Sequence, residues 1–388
     1  MPHPIVKWSV SAIPLIAAVL LQTVAPAVWA QPASGPVRAI PVAQGLENPW
    51  AVAFLPEGRF LVTERPGRLR VVEADGRLNP PVAGLPWVAA GGQGGLLDVV
   101  LDRGFASNRT LYFCFSEPAP AGAAGNSTAL ARARLSEDRT RLDDLRVVFS
   151  QRPKVASSLH FGCRIVEGMK DGRPDGTLFL TLGERFQRMQ DAQTLDNHHG
   201  KVVRVGKDGS VPRDNPFVGR AGALPEIFSY GHRNPQGATL GPDGRLWMHE
   251  HGPQGGDEIN LPQPGRNYGW PLITFGEQYG GGPIGAGITA GAGMEQPLHH
   301  WTPSIAPSGM AFLTSNRYGS AWKGSLFVGS LKFQFLNRVE LSGAKVVREE
   351  RLLGDLGERI RDVQQGPDGY LYVLTDNPKG RLMRLVPP

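Results

Sequence analysis

The chain has few cysteines and no long apolar stretch after its first thirty residues. Only Cys114 and Cys163 occur in 388 residues. Two cysteines do not make a disulfide scaffold, and the sequence leaves open whether they form one bridge or remain buried thiols. No later segment is long enough to span a membrane, and none shows a sustained helical period. These absences exclude a membrane-embedded mature chain and a helical bundle.

Several motifs of common enzyme classes are missing as well. There is no Gly-x-Ser-x-Gly nucleophile elbow. The glycines of 91–95 have the wrong spacing for a dinucleotide fingerprint and lack its strand–turn–helix context. Charged residues make up 20% of the chain and are spread along it, so the net charge of +6 forms no basic stripe. A nucleic-acid partner is therefore not expected.

Turn residues are abundant and accompany a repeated pattern. The chain holds 50 glycines and 34 prolines among 41% apolar residues, a composition typical of turn-rich β proteins. Six times a turn signal leads into an alternating apolar strand, near positions 59, 110, 177, 245, 325 and 370. Such a long, loose period predicts an all-β fold, a six-bladed β-propeller. The segments 37–42 and 381–385 should pair in one blade and close the ring.

The N-terminus has the features of an export signal. Lys7 precedes an apolar run from Ile13 to Leu21, and Val28-Trp29-Ala30 suits signal peptidase. We therefore expect a signal peptide at 1–30 and a single propeller domain at 31–388. The mature protein should be exported, periplasmic or secreted, without a membrane span.

Three polar, glycine-rich loops surround the fourth repeat strand, at 230–237, 249–258 and 267–271. Loops at one end of a blade can form a pocket at the channel mouth. His249 and His251 share a strand face, but zinc is disfavoured because no third ligand is apparent. Calcium is the better candidate, since carbonyls at a turn can combine with nearby carboxylates.

A few further side chains are candidates for chemistry. His160 enters a strand from a polar turn, and a histidine near its ordinary pKa is the usual general base. Lys332, Arg359 and Arg361 recur late in the chain, and the two arginines point to one face of an extended segment. They indicate either a solvated edge or a receptor for carboxylates. His198 and His199 are expected on a surface loop.

Five segments carry a resemblance to a known family. They are GHRNPQG, EHGPQGGDEINL, GRNYGWP, GSLKFQFLNRVEL and RIRDVQQGPDGYLYVLTD. Together they resemble the soluble quinoprotein sugar dehydrogenases, six-bladed propellers that use pyrroloquinoline quinone (PQQ) and calcium. The resemblance runs from about Gly45 to the C-terminus.

The resemblance implies a role for each matching residue. His160 would be the general base that takes the anomeric hydroxyl proton while hydride passes to the quinone, and Arg233 would stabilise the developing oxyanion. The positions matching cofactor contacts are Gln93, Arg233, Asn234, Tyr279, Ser330, Leu331, Lys332, Arg359 and Arg361. Carbonyls of Gly252 and Pro253 match the catalytic calcium site, and Glu258 and Tyr268 match a second, structural one.

One departure from the family pattern bears on the substrate. The glucose dehydrogenase branch has an aspartate directly before the base, where this chain has Leu159. We therefore expect an aldose sugar dehydrogenase of broad specificity, with a small aldose as substrate and an unidentified electron acceptor. The alternatives are a calcium-dependent propeller lactonase and a non-catalytic binding propeller. The cationic group discriminates, because a neutral lactone needs no carboxylate receptor.

Overall fold

The structure, a computed structural model, describes residues 37–387 together with Met1, Pro2 and Pro4. The expected signal peptide lies almost entirely outside the described residues and stays a prediction. The first described strand, β1 (Arg38–Leu46), belongs to the last blade. In the described part of the chain, no helix is long and apolar enough to cross a membrane.

Each blade is an antiparallel sheet of consecutive strands, numbered outward from the channel. Blade 1 comprises β2 (Pro49–Phe54), β3 (Phe60–Glu64) and β4 (Arg68–Val72). Blade 2 comprises β5 (Leu96–Leu101), β6 (Thr110–Pro118), β7 (Asn126–Leu135) and β8 (Leu142–Ser150). Blade 3 comprises β9 (Gly162–Lys170), β10 (Arg173–Leu182), β11 (Lys201–Gly206) and β12 (Ile227–Tyr230).

The second half of the ring repeats this order. Blade 4 comprises β13 (Pro235–Leu240), β14 (Leu246–Glu250), β15 (Asp257–Asn260) and β16 (His299–Trp301). Blade 5 comprises β17 (Pro307–Phe312), β18 (Leu326–Ser330), β19 (Leu336–Ser342) and β20 (Lys345–Leu352). Blade 6 comprises β21 (Ile360–Gln365), β22 (Leu371–Thr375) and β23 (Gly380–Val386), with β1 as its outer strand. The helical segments are short: α1 (Phe105–Asn108) and 3-10 turns at Pro56–Gly58, Met189–Gln193 and Gly354–Leu356.

The predicted six-bladed propeller is confirmed, and the repeat has a simple structural meaning. All six repeat strands are the second strand of their blade: β3, β6, β10, β14, β18 and β22. Second strands are covered on both faces by neighbouring blades, and in β3, β14, β18 and β22 every residue is buried. An outer strand such as β20 is mostly exposed. The apolar repeat therefore marks the most enclosed position of each blade.

The two ends of the described chain close the ring as predicted. β1 pairs antiparallel with β23, with Arg38 opposite Val386 and Ile40 opposite Arg384. This pairing gives blade 6 its fourth strand, so the backbone hydrogen bonds of both chain ends are satisfied within one sheet. The apolar core is distributed between blades, because each large cluster joins residues of neighbouring sheets.

A buried ionic network connects the first strands of five blades. Arg164 in β9 contacts Asp98 in β5 at 3.1 Å and Asp362 in β21 at 3.0 Å. Its Nε donates to the carbonyl of Gln236 in β13, and the Asp362 carboxylate accepts the amide of Val52 in β2. The Arg164 guanidinium thus provides partners for two carboxylates and a backbone carbonyl that are buried where the first strands meet.

The cysteine question is answered by the structure. Cys114 in β6 and Cys163 in β9 form a disulfide with a Cα–Cα distance of 5.9 Å, which links blades 2 and 3. The expectation of a surface loop at His198 and His199 is wrong. Both side chains are buried, because each ring takes a polar partner inside the fold: Glu226 for His198 and Asp191 for His199.

Candidate functional site

The site lies where the first and second strands of the blades meet their loops. Because these strands are antiparallel, the start of the first and the end of the second lie at the same side of a sheet. Blades 1, 4, 5 and 6 and the loop before β5 contribute residues from this side. They surround a cavity of about 590 Å³.

The structure brings most of the expected residues to this cavity. The predicted residues that line it are Gln93, Asn234, Gly252, Pro253, Tyr279, Leu331, Lys332, Arg359 and Arg361. His160 and Arg233 are attached to the lining by hydrogen bonds: the His160 amide donates to Gln93, and Arg233 donates to the Gly252 carbonyl at 2.7 Å. Ser330 is not on the lining, and its hydroxyl donates to the carbonyl of Ile305.

One wall of the cavity is cationic. Arg359 donates two hydrogen bonds to Asp376 at 3.0 Å, and Arg361 donates one to the same oxygen at 2.8 Å. The predicted common face of the two arginines is therefore confirmed. The pair lowers the pKa of Asp376 to about 2, against the opposing effect of burial. The Arg361 Nε atom is buried without a hydrogen-bond partner among the described residues.

Two more cations face the same space. Lys332 has no acidic partner among the described residues and lies 5.2 Å from the ring centroid of Phe333. Arg65, which the sequence analysis missed, lines the cavity and donates to the Gly92 carbonyl at 2.8 Å. Four cationic side chains with a single carboxylate between two of them make this wall a receptor for an anion with several negative groups.

The candidate base adjoins the cavity at Gln93. His160 is 4% exposed, and its Nδ1 lies 2.9 Å from Oε1 of Glu184. The Nε2 atom has no hydrogen bond to another described residue, so it is the nitrogen left to accept a proton. Burial lowers the pKa of His160 well below its ordinary value, with the charges of Arg233 and Arg185 adding to the effect. The expectation of a pKa near the ordinary value is therefore wrong.

Glu184 is the main residue on this side that the sequence analysis missed. Burial raises the pKa of its carboxyl to about 7, although the positive charge of Arg233 opposes the shift. A carboxylate at Nδ1 fixes the tautomer in which Nε2 is free to accept a proton. Glu184 follows β10 as Arg65 follows β3 and Asp376 follows β22. Inspecting the residues directly after each repeat strand would have found all three.

The cavity floor is aromatic. Trp50, also missed, lines the cavity at the start of β2, and Arg164 packs over its ring at 4.2 Å. The ionic network of the first strands thus supports the indole from one side. A flat ring on a cationic support suits a flat ligand.

The proposed carbonyl ligands of calcium are held rigidly. The Gly252 amide donates to Asp257 at 2.9 Å, and its carbonyl accepts from Arg233 but keeps a second lone pair. A Cβ at Gly252 would lie 2.2 Å from the Gly255 carbonyl oxygen, so this turn requires glycine. Backbone carbonyl oxygens such as those at this turn are ligands that calcium accepts. Among residues 37–387, no group of three or more His, Cys, Asp or Glu side chains could hold a metal ion.

Glu258 and Tyr268 lie at a separate, small cavity behind Arg233. They line it together with Glu250, which is directly opposite Glu258 in the β14–β15 pair. Burial raises the pKa of Glu258 to about 8, and the charge of Glu250 adds to the rise. Two paired buried carboxyl groups, one of them with a raised pKa, fit a cation because a positive charge would relieve their repulsion.

The fold and the site define a six-bladed propeller with a cationic cavity next to a buried histidine. Comparison with known proteins places it more closely. The model of the glucose/sorbosone dehydrogenase family matches residues 46–384, and the chain belongs to this family. It is 48% identical to the aldose sugar dehydrogenase YliI of Escherichia coli (strain K12), over 93% of this chain and 95% of that protein.

Solved structures of similar proteins agree with this family assignment. The soluble aldose sugar dehydrogenase from Escherichia coli in its apo form superposes with a TM-score of 0.85 at 45% identity, covering 91% of this chain and all of that one. The PQQ-bound aldose sugar dehydrogenase from Streptomyces coelicolor superposes with a TM-score of 0.72 at 30% identity, covering 92% of this chain and 99% of that one.

Proposed function

We propose that this protein is a PQQ-dependent dehydrogenase that oxidises aldoses at C1 to lactones, with His160 as general base and calcium at the Gly252–Pro253 carbonyls. Oxidation of a sugar CH–OH group follows from family membership and from the names of the relatives. The observation that carries the finer proposal is the cationic wall of Arg65, Lys332, Arg359 and Arg361 in a cavity whose lining residue Gln93 accepts a hydrogen bond from the amide of the buried His160.

The residues present fit the cofactor. PQQ is flat and carries carboxylates, which match the aromatic floor and the cationic wall, and the buried Arg361 Nε has a free donor. When bound, PQQ supplies the hydride acceptor that no side chain provides. Calcium, when bound, supplies Lewis acidity beside the quinone oxygens.

The chain's own part in the reaction concerns a proton and its position. The anomeric hydroxyl of the sugar gives its proton to Nε2 of His160, and Glu184 stabilises the resulting imidazolium at Nδ1. Arg233 provides positive charge beside the reacting centre. The guanidinium is fixed there by its hydrogen bonds to the carbonyls of His251 and Gly252. The product leaves as a lactone because C1 has lost one hydride and its oxygen one proton.

We also propose that the protein is exported to the periplasm or secreted, as a single mature propeller. The N-terminal sequence supports export, and a structural disulfide suits an oxidising compartment. The electron acceptor is not identified by the residues of the site. The mass of the protein recovered from its native compartment would test both export and cleavage after Ala30.

The test of the function is dye-linked oxidation of an aldose panel by the purified mature protein, with PQQ and calcium added separately and together. Activity that requires both, and that a chelator abolishes until calcium is returned, is the expected result. Absence of oxidation together with absence of PQQ binding in an absorbance titration would overturn the proposal. The lactonase alternative predicts lactone hydrolysis without PQQ, which the cationic wall gives no reason to expect.

A further inference from the structure

An aromatic side chain lies directly beside the base and is not explained by packing. The ring of Phe186 meets the His160 imidazole edge to face, with centroids 5.3 Å apart. Phe186 is 38% exposed, whereas His160 is almost fully buried. Phe186 therefore has free apolar surface beside the candidate base.

The backbone of this segment is held in an unfavourable conformation. Arg185 and Phe186 have φ values of 66° and 67°, a region that bulky side chains rarely adopt. A glycine or asparagine would adopt it at lower cost. Strain of this kind persists only where surrounding contacts impose it, and it is concentrated at functional sites.

Contacts of the two residues before Phe186 hold this conformation. The Glu184 amide donates to the Arg233 carbonyl at 2.9 Å. The Arg185 guanidinium packs over the Phe161 ring at 3.6 Å and donates to the Ser157 carbonyl. Phe186 thus follows two anchored, buried residues and begins an exposed stretch, 186–190, with its ring beside the base.

The polar groups beside the base are few. Oε1 of Glu184 pairs with His160 Nδ1, Oε2 is buried without a partner among the described residues, and Leu159 contributes no polar group. A sugar has polar hydroxyl edges, but its ring C–H groups form apolar faces. An exposed aromatic face suits such a surface and makes no directional hydrogen bond to any one hydroxyl.

We propose that Phe186 is a substrate-positioning residue that packs against the apolar face of the aldose and holds C1 at His160, so that the site binds aldoses without strong selection among hydroxyl epimers. This inference rests on the proposed function. It predicts a contribution to sugar binding that is similar for different aldoses, because the contact is with C–H groups that they share.

The experiment compares Phe186→Ala, Phe186→Leu and Phe186→Tyr with the wild-type holoenzyme on aldoses that differ at one hydroxyl. Phe186→Ala should raise KM about fivefold, by a similar factor for every aldose, since an aromatic contact contributes about 1 kcal/mol. The kcat value should change less than threefold. Phe186→Leu should be intermediate and Phe186→Tyr close to wild type, because only Tyr keeps the flat ring.

Absorbance titration of each variant with PQQ separates substrate positioning from damage to the cofactor site. Trp87→Ala is the matched control, since Trp87 is an exposed aromatic at 82% and is outside the cavity lining. An unchanged KM, a loss confined to one epimer, or a loss in kcat alone would overturn the inference. If Phe186→Ala fails to fold, Phe186→Leu carries the same test. A wild-type protein that binds PQQ but oxidises no aldose would overturn the proposed function first, and this inference with it.

Discussion

The two walls of the cavity are built on different physical principles. The wall of blades 5, 6 and 1 consists of long cationic side chains, one of them, Arg359, 44% exposed at the side chain. Asp376 partly neutralises this wall. The wall of blades 3 and 4 consists of deeply buried groups, and burial moves the pKa values of His160 and Glu184 in opposite directions. The first wall can bind an anion, and the second can move a proton.

This difference implies that changes on one wall should affect kcat and changes on the other should affect cofactor affinity. We expect neither set to affect both, because His160 with Glu184 and the two arginines with Asp376 form separate hydrogen-bonded groups. The following variants test whether kcat and cofactor affinity depend on different walls.

The largest effect is expected for His160→Ala. Without a base at this position kcat should fall about 10³-fold, within the usual range for general base catalysis. The dissociation constant for PQQ should stay within about threefold of wild type, because no cation of the binding wall changes. Steady-state kinetics and absorbance titration on the same preparation give both values. A parallel loss of PQQ affinity would break the comparison.

The double variant Arg359→Ala/Arg361→Ala should show the reverse pattern. We expect PQQ affinity to fall about 100-fold or more, since hydrogen bonds to charged groups contribute roughly 1.5–3 kcal/mol each and Arg359 is partly screened by water. At saturating PQQ, kcat should approach the wild-type value. Arg245→Ala is the control, since Arg245 pairs with Asp243 outside the cavity lining. Unchanged PQQ affinity would refute the carboxylate-receptor assignment.

Glu184→Gln should have a smaller effect on the rate and a distinct effect on its pH dependence. In the wild type, Glu184 loses its proton as pH rises through about 7, and only the carboxylate holds the Nδ1–H tautomer that leaves Nε2 free. Activity should therefore rise with pH across that value. The variant should lose about 10- to 100-fold in kcat together with this step. A wild-type profile that is flat from pH 6 to 8 would contradict the role of Glu184.

The smallest effect is expected for Asp376→Asn. The lowered pKa of Asp376 means that its carboxylate stabilises the fold above its ordinary pKa of 3.8, and that this stability is lost as pH falls toward about 2. The variant should lose about 2 kcal/mol of unfolding free energy at neutral pH. The difference from wild type should shrink in acid. Denaturant unfolding at pH 7 and pH 3 measures it, and equal differences at both pH values would exclude this linkage.

The sequence predicted the cationic residues of the first wall better than the acidic partners of either wall. Lys332, Arg359 and Arg361 were found because basic residues that alternate on a strand can be recognised without the fold. The acidic partners on both walls were not found. Glu184 is 24 residues from His160 and Asp376 is 15 from Arg361, and only the pairing of strands brings them together. The expected pKa of His160 was wrong for the same reason, because the burial that lowers it exists only in the folded chain.

The sequence by itself determined the number of blades, the closure of the ring and the family. These depend on local patterns of turns and alternating apolar residues, which recur in every blade and need no knowledge of distant contacts. The tertiary structure decided which residues form the site. Antiparallel pairing places the start of each first strand beside the end of each second one, so short segments from Trp50 to Arg361 meet at one cavity. Burial at that meeting point then sets the protonation of the groups that do the chemistry.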